Sequence, residues 1–203
     1  GLVRLHPERG VLAHHVHRRD RSEGLASDFL LSLARDRNRL WIGTGDRGLD
    51  CLDLASGRVE HFGYGDANGI PGPTVRALLV RSNGDLVVGT LGHGLAERCA
   101  ECTGFVQHRH RSALGSLPDD RVTALAESPR GRLWIGFRGA GLALREPGAQ
   151  SFQSVQLGLA ESRALSVSDL LEDADGVLWM ATYGDGVIRI EPRAESDSPW
   201  PAQ

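Results

Sequence analysis

Apolar residues along this chain come in short bursts broken by Gly-, Asn- and Asp-containing turns, and no burst continues at a helical period. The bursts repeat. "RLWIGTGDRGLDCLD" (39–53), "DLVVGTLGHGLAERC" (85–99), "RLWIGFRGAGLALRE" (132–146) and "VLWMATYGDGVIRIE" (177–191) are copies of one phrase. Their anchors Trp41, Val87, Trp134 and Trp179 are spaced 46, 47 and 45 residues apart. Ahead of each stands a second matching piece: "FLLSLARD" (29–36), "TVRALLVR" (74–81), "RVTALAES" (121–128) and "VSDLLEDA" (167–174), with Leu33, Leu78, Leu125 and Leu170 in register. Asn83-Gly84, Arg130-Gly131 and Asp175-Gly176 separate the two pieces and have the chemistry of two-residue hairpin turns. The first copy is one residue shorter there. A further short strand follows in "RVEHF" (58–62), "FVQHR" (105–109) and "SFQSV" (151–155).

Each unit of about 46 residues therefore predicts four short strands, and such a small sheet buries its faces only against its neighbours. The fold class predicted is all-β: a β-propeller of four-stranded antiparallel blades. A sandwich would not require the phrase to recur in register. The propeller segment covers 1–192, with a tail at 193–203. Within it lie a partial blade at 1–16, blades at 25–62, 70–109 and 117–156, and a partial blade at 163–191. Residues 1–16 match the third and fourth strands of a preceding blade, and the last copy stops after its third strand. An arc cut from a larger ring is expected. Closure into four blades, with Leu2–Val16 completing the last, is the alternative.

One copy imitates a different motif. Gly43, Gly45 and Gly48 form a literal G-x-G-x-x-G after a strand, the pattern of a dinucleotide loop. That loop needs a helix behind it to face the pyrophosphate. Here a short strand follows, and the other copies read only Gly92-x-Gly94, Gly139-x-Gly141 and Gly184-x-Gly186. The glycines belong to a turn between the second and third strands, where positive φ is needed. Tryptophans fixed inside the strand phrase are expected to pack between adjacent blades rather than to stack on sugars.

Composition narrows the chemistry. The net charge is −3 and the basic residues are scattered, so no nucleic-acid partner is expected. All 23 basic side chains are Arg, which removes Schiff-base lysines and the P-loop lysine. No apolar run approaches the roughly 18 residues of a membrane helix. The opening Gly-Leu-Val-Arg-Leu has neither an initiator Met nor a signal-like pattern, so the chain reads as a piece of a longer polypeptide.

Leu40-Trp41-Ile42-Gly43-Thr44, Leu133-Trp134-Ile135-Gly136, Glu172-Asp173-Ala174-Asp175-Gly176 with Leu178-Trp179, and the Ser56-Gly57 and Thr103-Gly104 turns carry a resemblance. The chain resembles the two-component regulator propeller repeats over roughly residues 1–192. Val87 for Trp, Phe137 for Thr and Ala181 for Gly depart from the pattern. The resemblance implies a periplasmic, extracytoplasmic sensor module of a bacterial membrane signalling protein. It also implies a membrane helix and a histidine kinase, diguanylate cyclase or transcription-regulator output outside this chain, in a homodimeric receptor.

Loops joining the second and third strands share a face with the loops between blades. There residue identity varies while the strands repeat, as expected of function grafted on a scaffold. Asp46, Arg47, His93, Arg138, Tyr183 and Asp185 are the candidate ligand contacts, and Arg forks with a Tyr suit a carboxylate, sulfate or sugar. A small-molecule or glycan ligand is expected, and no cofactor. No metal site is assigned. His14-His15-x-His17 and His108-x-His110 hold equivalent places at a fourth strand, where polar side chains are simply exposed. Cys99, Cys102, His108 and His110 form a candidate zinc set, but the cysteines bracket a hairpin turn and in an oxidising compartment could be bridged, leaving Cys51 free. A propeller enzyme similar to streptogramin lyases is a competing reading. Its acid–base pair has no obvious candidate beyond His93. A protein-binding scaffold is a third.

Overall fold

The computed structural model describes residues 1–18, 24–157 and 165–191. Strands β1 (Leu2–His6) and β2 (Gly10–His15) form a two-stranded sheet. Three four-stranded meanders follow. The first is β3 (Leu30–Asp36), β4 (Arg39–Thr44), β5 (Leu49–Asp53) and β6 (Val59–Phe62). The second is β7 (Val75–Val80), β8 (Leu86–Thr90), β9 (Leu95–Arg98) and β10 (Val106–His108). The third is β11 (Val122–Glu127), β12 (Leu133–Phe137), β13 (Leu142–Arg145) and β14 (Gln153–Val155). A three-stranded sheet of β15 (Val167–Glu172), β16 (Leu178–Thr182) and β17 (Val187–Ile190) ends the series. Every paired neighbour is antiparallel. The fold is a β-propeller, present as an arc of a larger ring.

Adjacent sheets stack through four hydrophobic clusters. Leu2 packs on Leu25, Ile42, Leu52 and Val59. Trp41, Cys51 and Phe62 meet Val75, Leu86 and Val88. Val87 and Leu95 meet Val122, Leu133 and Ile135, and Trp134, Leu142 and Leu144 meet Val167, Leu178 and Met180. Among the described residues no cluster joins β15–β17 to β1–β2, so the closed four-bladed ring is not what the sheets form.

The repeated glycine of the second strand is the seat for the next blade. A methyl group on Gly43, Gly89 or Gly136 would come within 2.6, 2.6 or 2.5 Å of a γ-carbon of Val75, Val122 or Val167. Only a residue without Cβ lets the following inner strand approach this closely. The fourth copy has Ala181 here, on a face that no further described sheet covers. The turn glycines bind the same neighbour: Gly48, Gly94 and Gly141 donate N–H to the carbonyls of Pro73, Asp120 and Leu165 at 2.8, 2.8 and 3.0 Å. The Gly1 amino group reaches the carbonyl of Asp28 in the same way, at 2.9 Å. Gly48, Gly94 and Gly141 have φ of 93°, 75° and 67°, the left-handed region their role in the turn demands.

Two details differ from the sequence expectation. Trp41 and Trp134 are 3% and 0% exposed between blades, but Trp179 is 39% exposed because nothing described follows its sheet face. Its ring is held by Asp173, which accepts from Nε1 at 3.0 Å, and by the Arg189 guanidinium 5.7 Å away. The hairpins at Gly84, Gly131 and Gly176 are three-residue loops rather than two-residue ones: Arg81 N–H binds the Asp85 carbonyl, and Ser128 and Asp173 bind Arg132 and Val177 likewise. Such loops place one residue in the left-handed region next to a bulge. Only the shorter first copy makes a two-residue turn, which forces Arg37 to a φ of 47°.

Candidate functional site

The innermost strand of each full sheet carries a β-bulge at its start. Val75 pairs with Thr90 and Ala77 with Gly89, so Arg76 is the extra residue. Thr123 is extra in the next blade, between Val122 and Ala124, and Leu31 and Ser168 hold the same place in the first and last. A bulge bends the strand and re-aims the extra side chain. At Arg76 and Thr123 that side chain lines a cavity.

The cavity measures about 290 Å³ and is bounded by Arg76, Leu91, Thr123, Arg138, Ser166 and Tyr183. Three of these are one repeat position: Leu91, Arg138 and Tyr183 each follow the last residue of β8, β12 and β16. The repeat thus delivers three successive second-to-third-strand turns, and the starts of three inner strands, to the same mouth. Backbone bonds fix them. Arg138 N–H donates to the Arg121 carbonyl at 2.9 Å, and Leu91 N–H to Thr74 at 3.0 Å. Tyr183 N–H donates to Ser166 at 2.8 Å.

Five of the six lining residues carry a polar side-chain group, Leu91 being the exception. An Arg76 Nη2 hydrogen donates to the Tyr183 hydroxyl at 3.0 Å, joining residues two blades apart. That leaves the phenolic hydrogen to donate elsewhere. Thr123 is buried, and its hydroxyl donates to the carbonyl of Val167 at 2.7 Å, bracing the blade behind the cavity. Among the described residues neither Arg76 nor Arg138 is paired with a carboxylate. This contrasts with Arg81, Arg121, Arg132 and Arg145, which bind Glu127, Asp119, Glu146 and Glu97.

Of the six residues expected to contact ligand, Arg138 and Tyr183 line this cavity. The other four sit on the same rim without lining it. Asp46 and Arg47 point outward on an exposed turn, closed by Arg47 N–H donating to the Thr44 hydroxyl at 2.9 Å. Asp185 repeats that turn, its N–H on the Thr182 hydroxyl at 3.0 Å. His93 packs its ring 5.4 Å from that of Tyr64 and against Gly72. Arg76, Leu91, Thr123 and Ser166 were missed because they lie in or beside strand phrases that read as core. The one available signal was Arg76 itself, a cation where the other copies have Leu31, Thr123 and Ser168.

The zinc set does not assemble. Cys99 and Cys102 are joined in a disulfide, so neither sulfur is a thiolate. His110 binds the Leu117 carbonyl through Nδ1 at 2.8 Å, while its N–H donates to Asp120. His17 makes the same pair of bonds to Leu25 and Asp28, so these histidines clasp one blade to the next. His108 lies half-buried, its Nε2 3.7 Å from Glu97, beside the Phe152 ring. Burial, with help from Arg145, pushes its pKa down, against the pull of Glu97 upward. Cys51 is free and buried, and burial raises its thiol to about 11. Among the described residues no group of three His, Cys, Asp or Glu could hold a metal ion.

Other hollows are less suited to recognition. A space of about 720 Å³ is bordered by residues between His110 and Pro118 and between Ser151 and Ser154, with no Arg, Asp or Glu among the described residues of its walls. Asp50 is fully buried but already bonded to Ala26 N–H and to His61 Nδ1 at 2.8 and 2.7 Å, tying the entry of β3 to its own blade.

A family model described as two component regulator propeller matches residues 116–139 and 162–184. No curated protein matches the chain. Among solved structures, the extracellular domain of the putative hybrid two component system BT3049 from B. thetaiotaomicron is similar, with a TM-score of 0.72 at 19% identity over 88% of this chain. The extracellular domain of the putative hybrid system BT4673 from the same organism gives 0.68 at 22% identity over 89%. This chain spans 23% of the length of each. A streptogramin B lyase structure is also similar, with a TM-score of 0.57 at 15% identity, over 81% of this chain and 55% of that one. These likenesses speak to the propeller fold.

Proposed function

Because a two component regulator propeller model matches residues 116–139 and 162–184, we propose that this chain is the ligand-sensing part of a bacterial signalling receptor, and that the ligand binds in the cavity where three blades meet. The cavity bounded by Arg76, Arg138 and Tyr183 carries this reading, because it joins three blades at one point. A ligand held there would favour one arrangement of those blades over others, and that difference in affinity is what a receptor transmits. The module is non-catalytic on this reading. Among the described residues the lining has Arg, Tyr, Thr, Ser and Leu but no carboxylate or imidazole to act as a general base near neutral pH. The Cys99–Cys102 disulfide supports a periplasmic location, since disulfides persist in oxidising compartments. Membrane anchor and kinase or cyclase output would belong to the rest of the polypeptide, as a homodimer.

The test is a thermal-shift screen of the purified chain against small organic acids, sulfate and neutral glycans. A binder is expected to raise the melting temperature, and Arg138→Ala with Tyr183→Phe to abolish the rise. No binder in the panel would overturn the sensor reading, and a shift that survives both substitutions would overturn the placement of the site.

A further inference from the structure

We infer that the ligand of this cavity is a small organic carboxylate, gripped by Arg76 and Arg138; this rests on the sensor reading above. Four observations converge. First, the two guanidinium groups come from different blades yet border one cavity, and among the described residues neither is neutralised by a carboxylate. A planar guanidinium presents paired N–H donors that match the two oxygens of a carboxylate.

Second, Arg76 occupies a β-bulge, which departs from the ladder to re-aim this one side chain. Third, the Arg76 bond to the Tyr183 hydroxyl uses that oxygen as an acceptor, so the phenolic hydrogen remains a donor for an anion. The Ser166 hydroxyl can add another. Fourth, Leu91 supplies an apolar wall, and about 290 Å³ accommodates a short carbon chain rather than an oligomer.

The arrangement also explains why the ligand would matter to the arc. Arg76, Arg138 and Tyr183 stand on three successive blades. An anion drawn between them ties those blades together.

Glutarate and its neutral isostere glutaramide separate charge from shape. The chain, labelled with 15N, is titrated with each while the arginine Nε–H and backbone N–H signals are followed. Glutarate is expected to shift Leu91, Arg138, Ser166 and Tyr183 saturably, at least tenfold more tightly than glutaramide, and to weaken as salt is raised. Arg76→Gln and Arg138→Gln should each lower its affinity at least tenfold. Arg58→Gln, which removes the same charge outside the cavity, should leave the affinity unchanged. Equal binding of glutaramide, or equal loss in Arg58→Gln, would overturn the carboxylate assignment while leaving a neutral-ligand sensor standing. Absence of glutarate binding would overturn the assignment as well. The sensor reading falls separately, if the full panel yields no binder at the mouth.

Discussion

Replacing Gly136 with Ala tests the seat that joins the third full blade to the sheet after it. An ideal Cβ at Gly136 would lie 2.5 Å from the Val167 Cγ1, 2.8 Å from its Cβ and 3.2 Å from the Ala124 Cβ. Carbon atoms are comfortable at about 3.5–4.0 Å, so β15 must withdraw by roughly 1 Å. A rotamer change can move Cγ1 but cannot move Cβ. Overpacking of this kind costs about 1–3 kcal/mol, a large share of a typical stability. Val167→Ala alone removes two carbons from a fully buried position, worth about 1.6 kcal/mol by transfer plus a cavity term. In the double variant the new methyl of residue 136 fills space vacated by Val167. The two costs should then fail to add by at least about 1 kcal/mol, in the stabilising direction. Urea denaturation of the four members of the cycle measures this. Costs that add to within about 0.3 kcal/mol would refute the seat.

Arg37 sits at a φ of 47° in the two-residue turn, so Arg37→Gly should raise stability by about 0.5–1 kcal/mol despite the greater freedom glycine gives the unfolded chain. Thermal melting checks it, and a lower melting temperature would count against the strained turn. The Cys99–Cys102 disulfide closes a short loop, so Cys99→Ser with Cys102→Ser should cost about 2 kcal/mol on the loop-entropy model. Thiol titration of the unreduced chain should find one reactive group after denaturation and none before, because Cys51 is buried. His108 has a folded pKa below that of the unfolded chain, so the unfolded state binds more protons as pH falls through about 6.5. Its contribution is present above that pH and is lost below it, as pH falls through the folded pKa. The slope is at most about 1.4 kcal/mol per pH unit. Urea midpoints at pH 5, 6 and 7 should show a shallower slope for His108→Gln than for the parent. Equal slopes would dismiss the group.

The architecture was legible because each blade repeats the same packing problem. Glycine at 43, 89 and 136 recurs since each must admit the valine of the next blade, and Leu33, Leu78, Leu125 and Leu170 recur since each faces the same neighbour across the ladder. Function follows no such rule. Arg138 and Tyr183 could be picked out because turns that vary among copies stand apart from the strand phrase. Arg76 could not, because a bulge adds its extra residue without any change in the apolar pattern around it. His108 and His110 were legible as a pair but not as to purpose. One lies half-buried beside the ring of Phe152, and the other spends its ring nitrogen on a carbonyl of the following blade. The exposure of Trp179 depends on which sheet comes next, and that is not written in its own repeat.

The most direct test of the central claim is made in the receptor that, on the proposed reading, carries this chain. The signalling output proposed for it would be measured against glutarate concentration, with the parent sequence and with Arg76→Gln plus Tyr183→Phe. The account predicts a response whose midpoint moves at least tenfold to higher glutarate in the double variant. An unaltered midpoint would contradict it, and would place recognition somewhere other than this cavity.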